Sequence, residues 1–268
     1  MASPGDIMGS QRYIKISLFL FGGLMLGYNL GVYLHELSHA IVMVWLGGSI
    51  ERIEMNPFST SYTYYATPSP NPILTSWAGI TLGSLLAVLI FGFCLLLNHD
   101  YIILLGSMTL IGSLATNGGY AVLDSYITHY GDPAYLIELG VPRGEVAGVG
   151  FLLLGLLLLL TVSMAETLGF QPEDGIMPRF VVLGGGIITY FTMDGVIGIL
   201  FPRDYSETGI YAIPLAVLFV YVTAFLSKLL QPTIKLSIAK PVAELSWELI
   251  LLTLLLGVGF IVLEYVYL

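Results

Sequence analysis

Seven long apolar runs constrain this chain more than any other feature. They lie near Ile14 to Gly47, Ile73 to Leu97, Tyr101 to Thr128, Val146 to Met164, Phe180 to Leu200, Ile210 to Leu230 and Leu245 to Leu268. About 20 apolar residues in a helix cover ~30 Å of hydrocarbon, and in lipid only helices or closed barrels satisfy their own backbone. Hydrophobic residues make up 56% of the chain and charged residues 10%, with a mean hydropathy of +0.88. A soluble domain of this length could not hide that much apolar surface. The sequence therefore predicts an all-α polytopic membrane protein with six to eight transmembrane helices, multi-pass in the lipid bilayer. The range reflects the first run, which is too long for one simple span and which Gly22, Gly23, Gly27 and Gly31 could kink or split. No small-residue cleavage pattern precedes Asn29 and His35, so this first segment is expected to be retained.

The same run carries His35-Glu36-Leu37-Ser38-His39. Residues four apart on a helix lie about 40° from one another, so His35 and His39 can offer two imidazoles to one metal. Glu36, roughly 100° around from His35, can reach a water beside that metal. A random chain with 4 His in 268 residues would hold on the order of 0.002 such matches. The rival reading is two packed or haem-binding histidines neutralised by Glu36. Ionisable groups within hydrocarbon persist where they pair, ligate metal or line a cavity, and three of them on one and a half turns favour metal.

A catalytic zinc takes three protein ligands and leaves one position open. The only cysteine, Cys94, lies in an apolar run and reads as a small buried hydrophobe, which excludes a Cys-based site. The third ligand is therefore expected to be a carboxylate. Asp124, near the end of the third run, ranks first because two helices crossing in the same direction bring their late residues to similar depth. Asp132, in the loop just beyond, ranks second, and Asp194 third.

Gly47 to Pro72 breaks the helical pattern. Ile50, Ile53, Met55, Phe58 and Tyr62 to Tyr65 favour strands, while Pro57, Pro68, Pro70 and Pro72 interrupt helices. Short β-strands at the membrane face are expected there, with an edge that could add an extended peptide; a Pro-rich connection is the alternative. The net charge of −9 argues against nucleic-acid partners and against a polybasic lipid anchor.

Taken together, these residues resemble the site-2 protease family of intramembrane zinc metalloproteases, in an atypical branch. The likeness rests on His35 to Ala40, Leu46-Gly47-Gly48, Ala78-Gly79, and Asn117 ahead of Leu123-Asp124. It implies a three-helix catalytic core with a β-rich membrane-face loop over residues 1–145, and additional helices of unassigned role over residues 146–268. It further implies zinc on His35, His39 and an aspartate, Glu36 as acid and base, Asn117 near the scissile carbonyl, and a membrane-protein or peptide substrate. The chain departs from the family pattern after Asn117, where no proline precedes the aspartate and Ser125 replaces a glycine. Two other classes stay open: an inactive zinc-binding membrane chaperone or scaffold, and a metal transporter.

Overall fold

The computed structural model describes residues 4–55, 61–128, 131–185, 208–230 and 239–267. The expectation for Asp194 falls outside them, as do Phe58 and most of the run from Phe180 to Leu200. In chain order the elements are α1 (Pro4–Trp45), β1 (Ile50–Glu54), β2 (Tyr62–Tyr65), α2 (Pro72–Leu97) and α3 (Asp100–Leu123). A π-turn over Asp124–Thr128 follows α3, and then come α4 (Gly131–Glu138), α5 (Arg143–Ser163), α6 (Ala165–Leu168), α7 (Ile176–Gly185), α8 (Thr208–Leu230) and α9 (Trp247–Tyr267).

Four of these helices are long and apolar enough to cross a membrane: Gln11–Trp45 within α1, α2, Asp100–Ile127 and α5. Shorter apolar helices cover Ile176–Gly185, Val217–Leu230 and Trp247–Leu263. The chain is an integral, multi-pass, all-α membrane protein, and its described residues include one small two-stranded sheet.

The first run does not split. α1 is one helix of 42 residues, and its glycines serve close approach rather than kinking. A Cβ at Gly27 would stand 2.2 Å from the Met108 carbonyl oxygen, one at Gly31 would meet Ser113 Cα at 2.8 Å, and one at Gly22 would meet Leu254 Cα at 2.9 Å. Small residues let helix backbones touch where lipid gives no hydrophobic push. One edge of α1 thus receives α3 and another receives α9.

The order of contacts gives direction. Gly31 meets Ser113 and His35 meets Asn117, the same offset of 82 residues, so α1 and α3 run parallel. The chain reverses twice to achieve this. α2 starts at Pro72 behind an Asn71 cap, whose side chain accepts from Leu74 N–H, and returns alongside α1 with Gly79 and then Gly83 against His35. Asn98 then closes α2 in the left-handed region at φ 50°, a conformation asparagine tolerates better than most residues, and α3 begins two residues later.

Between α1 and α2 the predicted strands form an antiparallel hairpin, pairing Ile50 with Tyr65, Arg52 with Tyr64, Ile53 with Thr63 and Glu54 with Tyr62. A bulge between Ile50 and Arg52 re-aims the strand near its start. The hairpin lies against the C-terminal half of α1, where the His motif sits.

Candidate metal centre

His35 and His39 point into the seam between α1, α2 and α3, where both are buried. The far nitrogen of each ring is anchored. His39 Nδ1 lies 2.8 Å from the Thr75 carbonyl oxygen, which can only accept, so Nδ1 carries the hydrogen. His35 Nδ1 lies 2.7 Å from Asn117 Oδ1. The amide is oriented by its own partners: the Ser84 hydroxyl donates to the Ile80 carbonyl and so accepts from Asn117 Nδ2 at 2.9 Å. His35 therefore also donates from Nδ1.

With both Nδ1 atoms committed, both Nε2 atoms present lone pairs to one point. They stand 3.1 Å apart, and Asp132 Oδ2 lies 3.1 Å from His35 Nε2 and 2.9 Å from His39 Nε2. Three acceptors in mutual contact need positive charge among them, supplied by a proton on one imidazole or by a metal ion. In tetrahedral zinc sites with bonds of 2.0–2.2 Å, ligand atoms sit roughly 3.3 Å apart. The observed spacings fit such an ion after shifts of a few tenths of an ångström. Among the described residues, His35, His39 and Asp132 are the group that could hold a metal ion.

Asp132 reaches this point from α4. The π-turn carries the chain out of α3, and Gly131 reverses it at φ +72°. Its Cβ position would lie 1.7 Å from the Tyr120 hydroxyl, so glycine is required there both for the dihedral and for room. The Asp132 N–H then donates to that hydroxyl at 3.0 Å, and the Tyr120 ring meets His35 edge-on at 5.6 Å between centroids. Burial alone would raise the Asp132 carboxyl, but in the metal-free protein the charge of a protonated His39 and the hydrogen bonds from His35 and His39 outweigh it and hold it well below the usual carboxylate range.

The other expected residues take different places. Asp124, ranked first from sequence, is buried in the π-turn beside Gly131, whose Cβ position would be 3.1 Å from Asp124 Oδ2. It is not in the metal-capable group. Asn117, expected at a scissile carbonyl, is fully buried, and its amide is taken up by His35, Ser84 and Ser113. Glu36 faces the hairpin, where the Thr63 hydroxyl lies 2.8 Å from its Oε2. Burial pushes the Tyr65 phenol up, and the charges of Asp132 and Glu36 add to that shift.

Sequence reasoning missed the roles of Thr63, Thr75, Ser84 and Tyr120. Gly79 was visible without a role. A Cβ there would come within 2.5 Å of His35 Cε1, His35 Nε2 and His39 Nε2, so the glycine makes room for the two rings. The Gly79-x-x-x-Gly83 spacing was the signal that could have revealed it.

Residues 20–117 match the family model described as Peptidase M50B-like. The match supports the site-2 protease family. It spans His35, Glu36, His39, Gly79 and Asn117, stops short of Asp124 and Asp132, and covers less than half of the chain. Comparison with curated proteins and with solved structures gave no match. The M50B-like segment is thus α1 from Leu20, the hairpin, α2 and most of α3, and the third side chain of the metal-capable group comes from beyond it.

Proposed function

We propose that this M50B-like protein is an intramembrane zinc metalloprotease that hydrolyses peptide bonds of membrane-embedded substrates. The observation that carries this reading is the convergence of His35 Nε2, His39 Nε2 and Asp132 Oδ2 at one point, on a helix that carries an intact Glu36 next to His35. Zinc held there would supply Lewis acidity, acidifying water and polarising a carbonyl. The chain's own residues do the rest. Asn117 and the Thr75 carbonyl fix both rings in the tautomer that leaves Nε2 free. Glu36 takes a proton from the attacking water and delivers it to the leaving amine. Three protein ligands leave a coordination position for water and substrate.

A substrate helix must unwind locally to expose a peptide bond, because its backbone is otherwise satisfied within itself. The hairpin supplies somewhere for an unwound segment to go: the sheet has two strands, so each keeps an edge that no described strand covers, and an extended peptide can pair with such an edge. The partner in this reading is a membrane protein or peptide.

The deciding experiment compares wild type with Glu36→Gln in a cleavage assay on a membrane-embedded substrate, with zinc content measured in parallel. Wild type should hold about one zinc per chain and cut; Glu36→Gln should hold zinc and lose cleavage by at least about 100-fold. Equal cleavage by the two proteins would sink the mechanism. Zinc without cleavage in the wild type would favour the scaffold reading.

A further inference from the structure

The base proposed above is held from outside the helical bundle. Thr63 Oγ1 lies 2.8 Å from Glu36 Oε2 and 2.9 Å from the Glu36 carbonyl oxygen. Both atoms accept, so the hydroxyl donates, and its single hydrogen serves one or the other in turn. Thr63 lies within the β1–β2 ladder, opposite Ile53, and its β-branched side chain restricts the directions in which the hydroxyl can point. Glu36 has three rotatable side-chain bonds and is only 6% exposed. A hydrogen bond to a carboxylate in so dry a place is stronger than one in water.

We propose that Thr63 is a positioning residue: it ties the hairpin to Glu36, so the seating of the hairpin on α1 sets where the carboxylate stands. This rests on the reading of Glu36 as the base. The double acceptor gives the tie a particular property. When the carboxylate turns toward a substrate, the hydroxyl can pass to the Glu36 carbonyl and the hairpin stays attached. The hairpin also carries Tyr65 two residues on, on the same face of β2 as Thr63. A peptide pairing with the hairpin edge would thus press on the strand that holds the base, which couples substrate docking to the orientation of Glu36.

The test uses the full chain in lipid nanodiscs and needs two readouts. The first is hydrogen exchange at residues 50–55 and 61–65 in wild type, Thr63→Val, Thr63→Ser, Glu36→Ala and Thr63→Val/Glu36→Ala. Thr63→Val, which keeps the shape and removes the hydroxyl, should raise exchange several-fold; Glu36→Ala should raise it less, because the carbonyl still accepts; the double variant should match Thr63→Val. The second readout is cleavage kinetics: Thr63→Val should lower kcat about 10-fold with KM and zinc content within about twofold, and Thr63→Ser should restore most of the rate. Wild-type exchange in Thr63→Val, additive effects in the double variant, or a loss in KM alone would each overturn the proposal. Absence of cleavage in wild type, with the exchange pattern as expected, would instead remove the reading of Glu36 as a base and leave the tie between Thr63 and Glu36 standing.

Discussion

The backbone N–H of Asp132 donates to the hydroxyl of Tyr120 at 3.0 Å, and through that bond a residue late in α3 fixes the start of α4. The same tyrosine stands edge-on to His35. One side chain therefore registers two members of the metal-capable group, from different elements, against each other.

Tyr120→Phe keeps the ring and removes the acceptor. Asp132 should lose its anchor, and zinc affinity should fall by about 10-fold to 100-fold, as expected when a group that orients a ligand is lost. Competition with a zinc chelator at constant protein concentration measures it. Unchanged affinity would mean that α4 is held by its other contacts.

Asn117→Ala should weaken zinc by a similar factor of about 10-fold to 100-fold, because His35 Nδ1 then has no oriented acceptor. If the role implied by the family likeness, at the scissile carbonyl, were instead dominant, the variant would keep its zinc affinity and lose kcat. Measuring both quantities on one preparation separates the two roles.

Much of this site was legible in the sequence. The His35, Glu36 and His39 spacing set two metal-capable imidazoles and a candidate base on one stretch of helix, and the apolar runs set the spans. The order of Asp124 and Asp132 for the third place in the metal-capable group was not legible, and the reason is geometric. Two helices crossing in the same direction bring their late residues to similar depth, which put Asp124 first. With α1 and α3 parallel at an offset of 82 residues, however, Asp124 falls level with Val42, about 4.5 Å along the axis beyond His39. The π-turn and the reversal at Gly131 bring Asp132 back down to the level of the rings, and no periodicity announces a chain that doubles back. The undivided α1 has a related cause: glycines that could kink a lone helix are occupied here by the backbones of α3 and α9.

That geometry reorders the aspartates. Asp132→Ala should lose more zinc affinity than Asp124→Ala, since Asp132 Oδ2 stands within 3.1 Å of both Nε2 atoms while Asp124 lies behind the turn. Asp124→Ala should act through the placement of Gly131 and cost less. Titrations of the two variants under one set of conditions decide the order, and a larger loss at Asp124 would require α4 to sit elsewhere in the working protein.

Gly79→Ala tests the packing of the site without touching a ligand. The added methyl would stand 2.5 Å from both Nε2 atoms, well inside contact distance, and the atoms it meets belong to rings whose other ends are pinned by Asn117 and Thr75. Neither ring can rotate away without giving up a hydrogen bond buried in the seam, so the variant should lose most of its zinc while keeping its helix content. Gly92→Ala, on the same helix with nothing within 4 Å of the new carbon, is the matched control and should retain wild-type zinc; alanine is also the better helix former, so neither variant weakens α2 by propensity. Metal content by mass spectrometry and far-ultraviolet circular dichroism on the two variants check this together. Full zinc occupancy in Gly79→Ala would show that α2 stands farther from the rings than 2.5 Å allows, and with it that the site is wider than its side chains suggest.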